Sequence, residues 1–229
     1  MHYLRRMIRS TLFLLLLTTT LSAQDLPDPT RFEAAIEGFE SADTENPVAP
    51  GTILFVGSSS IVMWKTLAED LEGHQVLNRG FGGSNFNDLI HYADRVIYPY
   101  QPKAVFVYEG DNDISMGNSP EQVHQDARKL RQLIAENVGE EVPVFFISPK
   151  PSVARWELKE AYETANQLLE DFADSTDDTY YIDVWSPALL ADGTVRSDIF
   201  VGDNLHMNAA GYDIWEAVIE PVVDLLDGQ

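Results

Sequence analysis

Apolar residues along this chain fall into two alternating kinds of segment. Residues 52–56, 75–77, 104–108, 142–147 and 180–184 are short runs rich in β-branched and aromatic side chains, bounded by turn residues. Such runs predict five strands. Residues 61–71, 86–96, 120–137, 157–172 and 208–226 instead space their apolar positions three and four apart, the signature of one helix face packed on a core. Pro221 falls inside the last of these and is expected to bend the helix or end its first half. Strand followed by helix, five times over, predicts an α/β fold with a parallel sheet covered by helices on both faces.

The first 23 residues read differently. Arg5, Arg6 and Arg9 precede the apolar stretch Leu12-Phe13-Leu14-Leu15-Leu16-Leu17, which gives way to the small and polar Thr18-Thr19-Thr20-Leu21-Ser22-Ala23. A basic start, a short apolar centre and a small-residue end predict a signal peptide cleaved near Ala23 and a secreted or periplasmic protein. The apolar stretch is well short of the ~20 residues that span a bilayer, so no membrane anchor is expected after processing. Residues 24–229 are expected to form one domain with a sizeable core. There is no cysteine, so neither a lipid-modified thiol nor a disulfide is available.

Charge narrows the partners. The 15 basic and 37 acidic residues give a net charge of −22, and losing the three leader arginines makes it 12 − 37 = −25. A surface this acidic repels nucleic acid and anionic lipid at long range. A neutral substrate fits it better.

Four short polar motifs punctuate the pattern: Gly57-Ser58-Ser59-Ser60-Ile61, Asn78-Arg79-Gly80-Phe81-Gly82-Gly83, Gly110-Asp111-Asn112-Asp113 and Asp203-Asn204-Leu205-His206. The first three follow the first three predicted strands, and the fourth lies in a long loop after the fifth. In parallel sheets ligands gather beyond the carboxyl ends of the strands, and all four motifs fall at that edge. One of the three serines is expected to cap the following helix in the plainer reading. In the other, Gly57 allows a tight strand-to-helix turn and Ser59 presents its hydroxyl at a helix start. The Gly-x-Ser-x-Gly elbow of α/β-hydrolases is absent.

In order and content, these motifs resemble the sequence blocks of the GDSL, or SGNH, hydrolase family. Gly57-Ser58-Ser59-Ser60-Ile61 stands where that family has Gly-Asp-Ser-Leu, Gly83 matches its second block, Asn112 its third, and Asp203-x-x-His206 its fifth. The departures are Ser58 in place of the usual Asp, Ser60 before Ile61, and Asp111 where Thr is common. The resemblance implies a flavodoxin-like, three-layer αβα sandwich and a serine esterase working through an acyl-enzyme. Ser59 would be the nucleophile, His206 the general base and Asp203 its orienting acid, with Ser59, Gly83 and Asn112 forming the oxyanion hole.

These residue types suit the chemistry. A serine hydroxyl is a poor nucleophile until an imidazole takes its proton, and histidine's ordinary pKa of ~6.5 fits that exchange near neutral pH. A carboxylate three residues away can hold the ring, and backbone and amide N–H groups can meet the developing oxyanion. His74, His91 and His124 have no such partner arrangement at the active edge. No His-Glu-x-x-His pair, phosphate loop or dinucleotide fingerprint is present, so neither metal nor cofactor is expected.

Trp64, Arg79, Tyr108 and Trp156 stand near the active edge in this scheme and are the candidates for contacting substrate, with Lys150 and Arg155 further possible wall residues after the fourth strand. No apolar insertion long enough for a lipase lid is seen, which favours short acyl groups. Export, acidity and the resemblance together point to acetyl or similar esters, including O-acetylated carbohydrates. A lysophospholipase or thioesterase, and a non-catalytic carbohydrate-binding protein on the same fold, are the competing expectations.

Overall fold

The computed structural model describes residues 27–227. The expected signal peptide, residues 1–23, lies outside them. The chain runs α1 (Glu33–Glu45), β1 (Ile53–Gly57), α2 (Ser59–Met63), α3 (Leu67–Asp70), β2 (Val76–Gly80), α4 (Phe86–Val96), β3 (Ala104–Tyr108), α5 (Asp111–Ser115), α6 (Pro120–Asn137), β4 (Val144–Ile147), α7 (Lys159–Asp174), β5 (Thr179–Ile182) and α8 (Ala209–Asp227), with short 3-10 turns between several of them. The five strands form one sheet in the order β2-β1-β3-β4-β5, with every adjacent pair parallel.

Strands buried on both faces explain the continuous apolar runs. Leu54 and Val56, Val105 and Val107, and Val144 and Phe146 point into one core with α1, α4, α6 and α7. The alternate residues Ile53 and Phe55, Ala104 and Phe106, and Phe145 and Ile147 point into a second core with α2, α3 and α8. Phe55, Phe106, Phe145 and Tyr180 occupy matching register positions on β1, β3, β4 and β5. Their rings stack across the sheet with centroids 4.6, 4.5 and 4.8 Å apart, within the favourable range for offset aromatic pairs.

Several element boundaries differ from the sequence expectation. The helix expected over 61–71 is two short ones, because the chain bends at Trp64 (φ −75°, ψ 75°). The bend buries the Trp64 ring while its indole N–H donates to the Asp70 carboxylate at 2.6 Å. Strand β2 extends through Asn78, Arg79 and Gly80, so half of the second motif is strand, not loop. Pro221 sits inside α8 without ending it. Helix α1 was not anticipated, although Phe32, Ile36 and Phe39 carry helical spacing and pack on the first core.

The order 2-1-3-4-5 reverses direction between β1 and β3. That switch point is where open parallel sheets form a crevice for ligands, and the Ser59 turn and the Asn112 turn leave the sheet on either side of it.

Candidate active site

Close packing shapes the turn after β1. Gly57 has φ 132°, and a Cβ there would lie 2.1 Å from the Tyr108 carbonyl oxygen, so no other residue fits. Ser58 is the N-cap of α2, but its side chain makes no capping bond, and both Ser58 and Ser60 are buried. Only Ser59 opens onto a cavity of ≈ 330 Å³, shared with Gly82, Gly83, Asp111, Asn112, Lys150, Arg155, Leu205 and His206. Helix α2 has only five residues, so the field of a long helix is not available there. The relevant group is the Ser59 N–H, which, as the first helical donor, has no acceptor within the helix.

The loop after β5 delivers the histidine. Asp203 Oδ1 accepts the backbone N–H groups of Leu205 and His206, each at 2.9 Å, which curls the loop into a tight turn. Its Oδ2 lies 2.6 Å from His206 Nδ1. The bond from the His206 side chain, followed by those two backbone N–H groups, holds the Asp203 carboxyl well below the usual carboxylate range. An ionised carboxylate only accepts, so Nδ1 carries the ring proton and Nε2 presents its lone pair. That Nε2 lies 3.1 Å from Ser59 Oγ. Bonds from the Val201 N–H to the His206 carbonyl and from the Asn208 side chain to the carbonyls of Asp198 and Phe200 brace the loop.

The second motif forms the wall opposite. Gly80 passes against α2 so closely that a Cβ would sit 2.8 Å from the Val62 nitrogen, and Asn78 donates to the Ile61 carbonyl at 2.6 Å. Gly83 takes φ 89°, with nothing within 4 Å of the place its Cβ would take. Beneath it the Ser84 hydroxyl donates to Glu109 Oε1 at 2.5 Å, and burial pushes the Glu109 carboxyl well above its ordinary value.

Asn112 lies in the first turn of α5, a helix the sequence reading treated as loop. Its Nδ2 donates to the Ser84 carbonyl at 2.8 Å and its Oδ1 accepts from Arg155 Nη2 at 3.1 Å. Asp111 beside it is buried and accepts from Arg155, Tyr162 and Tyr108 at 2.6, 2.7 and 2.9 Å, with Lys150 Nζ at 3.4 Å. Burial alone would push the Asp111 carboxyl up; the Lys150 and Arg155 cations and the Tyr162 hydroxyl reverse this and hold it at about 2. Burial pulls the Lys150 ammonium down.

Ser59, Gly83, Asn112 and His206 are thus gathered around one cavity, with Asp203 behind the histidine. The four expected substrate contacts are not among its lining residues. Trp64 is 1% exposed and packs on Phe55, Tyr212 and Trp215. Tyr108 is wholly buried beneath Asp111. Arg79 turns away from the site to Asp43 and to the Tyr100 hydroxyl, and Trp156 stacks on Trp185. Each lies near a strand end in sequence, but packing or a distant ion-pair partner claims its side chain. Lys150 and Arg155, the other wall candidates, do line the cavity. Asp111 is the residue whose part sequence reasoning missed, its only signal being a carboxylate where the resembled family commonly has Thr.

A larger groove of ≈ 1070 Å³ lies at the amino ends of β4 and β5, lined by residues including Arg128, Arg131, Glu140, Phe172 and Asp178. His124 and Ser175 both line it, but the Ser175 hydroxyl donates to the Asp171 and Phe172 carbonyls. Among the described residues no group of three or more His, Cys, Asp or Glu side chains is placed to hold a metal ion, and no helix is long and apolar enough to cross a membrane.

The arrangement has the parts of a serine hydrolase. Residues 54–214 match the model of the GDSL-like lipase/acylhydrolase family, so the chain belongs to that family and is a carboxylic ester hydrolase. No curated protein matches the chain in sequence. Among solved structures it is similar to a Streptococcus pneumoniae protein described as a platelet activating factor (TM-score 0.73, 18% identity, covering 83% of this chain and 92% of that one). A GDSL-like lipase from Bacteroides thetaiotaomicron gives TM-score 0.70 at 17% identity, covering 83% and 97%. An acetylxylan esterase from Geobacillus stearothermophilus gives 0.64 at 14%, covering 77% and 95%. Likeness at these identities is likeness of fold.

Proposed function

We propose that the protein is an exported serine esterase that removes short acyl groups, acetyl above all, from neutral alcohols including sugars. The observation that carries this reading is the chain of contacts from Asp203 through His206 to Ser59, 2.6 and 3.1 Å long, at a cavity of ≈ 330 Å³ that has room for a small acyl group.

In the first half-reaction Ser59 Oγ attacks the ester carbonyl carbon while His206 Nε2 takes the hydroxyl proton. The carbonyl oxygen gains the negative charge and accepts hydrogen bonds from the Ser59 N–H, the Gly83 N–H and the Asn112 side-chain amide. Collapse breaks the bond to the alcohol, whose oxygen receives the proton from the imidazolium. Water then repeats the sequence on the acyl-Ser59 ester, releasing the acid and restoring the hydroxyl. Asp203 keeps its charge throughout and stabilises the imidazolium.

The small volume and the polar side chains of Asn112, Lys150 and Arg155 on its wall support short acyl groups. The acetylxylan esterase among the structural relatives makes acetylated xylan a natural member of the test panel, and the leader pattern supports export. Hydrolysis of p-nitrophenyl esters of increasing chain length, beside acetylated xylan and lysophospholipid, tests the proposal. Acetyl and propionyl esters are expected to be fastest. Rates climbing toward C12, or turnover of lysophospholipid alone, would contradict it.

A further inference from the structure

The amide of Asn112 has four hydrogen-bonding positions: two lone pairs on its carbonyl oxygen and two N–H bonds. Two are occupied within the protein. The oxygen accepts from Arg155 Nη2 at 3.1 Å, and one N–H donates to the Ser84 carbonyl at 2.8 Å. This leaves one N–H for the cavity that Asn112 lines. A 180° flip of the amide would set its NH₂ against a guanidinium, which cannot accept, and its carbonyl against the Ser84 carbonyl, which cannot donate. The flipped amide would then present an oxygen to a developing oxyanion, the opposite of what catalysis needs.

The guanidinium is itself fixed. Arg155 Nη1 donates to Asp111 Oδ1 at 2.6 Å and to the Asp111 carbonyl at 3.2 Å, so one planar fork spans two consecutive residues, Asp111 and Asn112. Asp111 is anchored in turn by the Tyr162 and Tyr108 hydroxyls at 2.7 and 2.9 Å. We propose that Arg155, clamped by Asp111, is the positioning residue that holds Asn112 with its free N–H toward the oxyanion. The proposal rests on the oxyanion role of Asn112 set out above. It accounts for the carboxylate at position 111: a neutral side chain of threonine's size would leave the part-buried guanidinium without its counter-charge.

A double-mutant cycle in kcat and KM tests the proposal. Asn112→Ala is expected to lower kcat by about 10²–10³, the usual effect of losing one oxyanion donor. Arg155→Met is expected to lower kcat by roughly ten- to a hundredfold, because the amide is disordered but present, with KM changed by less than about threefold. In the Asn112→Ala background the same Arg155→Met change should cost almost nothing further, since no donor remains to orient. If Met at 155 prevents folding, Arg155→Lys serves the cycle, as it keeps a cation beside Asp111 but cannot bridge to Asn112.

An Arg155 effect that persists at full size in the Asn112→Ala background would overturn the inference, as would a rise in KM at unchanged kcat, which would mean that Arg155 binds substrate directly. Unchanged kcat in Asn112→Ala alone would overturn the oxyanion reading itself, and that result is visible in the single variant whatever Arg155 does.

Discussion

His206 Nε2 and Ser59 Oγ meet at 3.1 Å although the residues are 147 positions apart. The contact joins the turn after the first strand to the loop after the last, and it depends on Asp203 holding the imidazole in one tautomer. Asp203→Asn should therefore lower kcat by about 10² or more, since a neutral amide neither fixes that tautomer nor stabilises imidazolium. The Asp203 side chain is 48% exposed, so water can take part of its place and the loss should stay below the ~10⁴ found for fully buried triad acids. Steady-state kinetics on p-nitrophenyl acetate would check this.

The pH profile follows from the same pair. Because Asp203 is held well below the usual carboxylate range, it is already ionised where imidazoles titrate. The kcat/KM profile should therefore show no acid step from the Asp203 carboxylate above about pH 4. Such a step, lost in Asp203→Asn, would count against the contact with His206 that holds this carboxylate ionised.

Stability should respond to Asp111 at lower pH. Its carboxyl is held at about 2 in the fold, below the ~3.9 of an unfolded aspartate. The stability it contributes is therefore present above about pH 4 and is lost as pH falls through about 2. Asp111→Asn should remove that dependence and destabilise by about 3–5 kcal/mol at neutral pH, because Lys150 and Arg155 are left without their counter-charge. Denaturant melts of both proteins at pH 7 and pH 3 measure the difference.

Two glycines separate close packing from backbone strain. Gly57→Ala would drive a Cβ into the Tyr108 carbonyl and should prevent a stable fold or displace Ser59. At Gly83 nothing stands in the way but φ is 89°, so Gly83→Ala should fold with a loss of about 1–2 kcal/mol and act mainly on kcat. Thermal unfolding beside kinetics distinguishes the two.

Trp64 should behave as a core residue. With the ring 1% exposed among Phe55, Tyr212 and Trp215, Trp64→Ala should cost about 3–5 kcal/mol of stability and leave KM for small esters unchanged. A KM effect without a stability effect would restore it to the substrate site.

The sheet was legible because parallel strands buried on both faces read as apolar runs, and the placing of four polar motifs at their carboxyl ends was legible for the same reason. Strand β2 was underestimated: Asn78 and Arg79 look like turn residues, yet their polar groups are satisfied by the Ile61 carbonyl and by Asp43 and Tyr100. The aromatic candidates are not among the cavity's lining residues, because proximity to a strand end in sequence does not say which way a side chain points. Asp111 was opaque because its meaning lies in partners 39 to 51 residues away, Lys150, Arg155 and Tyr162.

The central claim is that Ser59 is an activated nucleophile, and covalent labelling measures that most directly. Treated with a fluorophosphonate and mapped by mass spectrometry, the protein should carry the label on Ser59, and His206→Ala should slow labelling by orders of magnitude. Label on Ser58, on Ser60 or on no serine, with ester hydrolysis intact, would contradict the account.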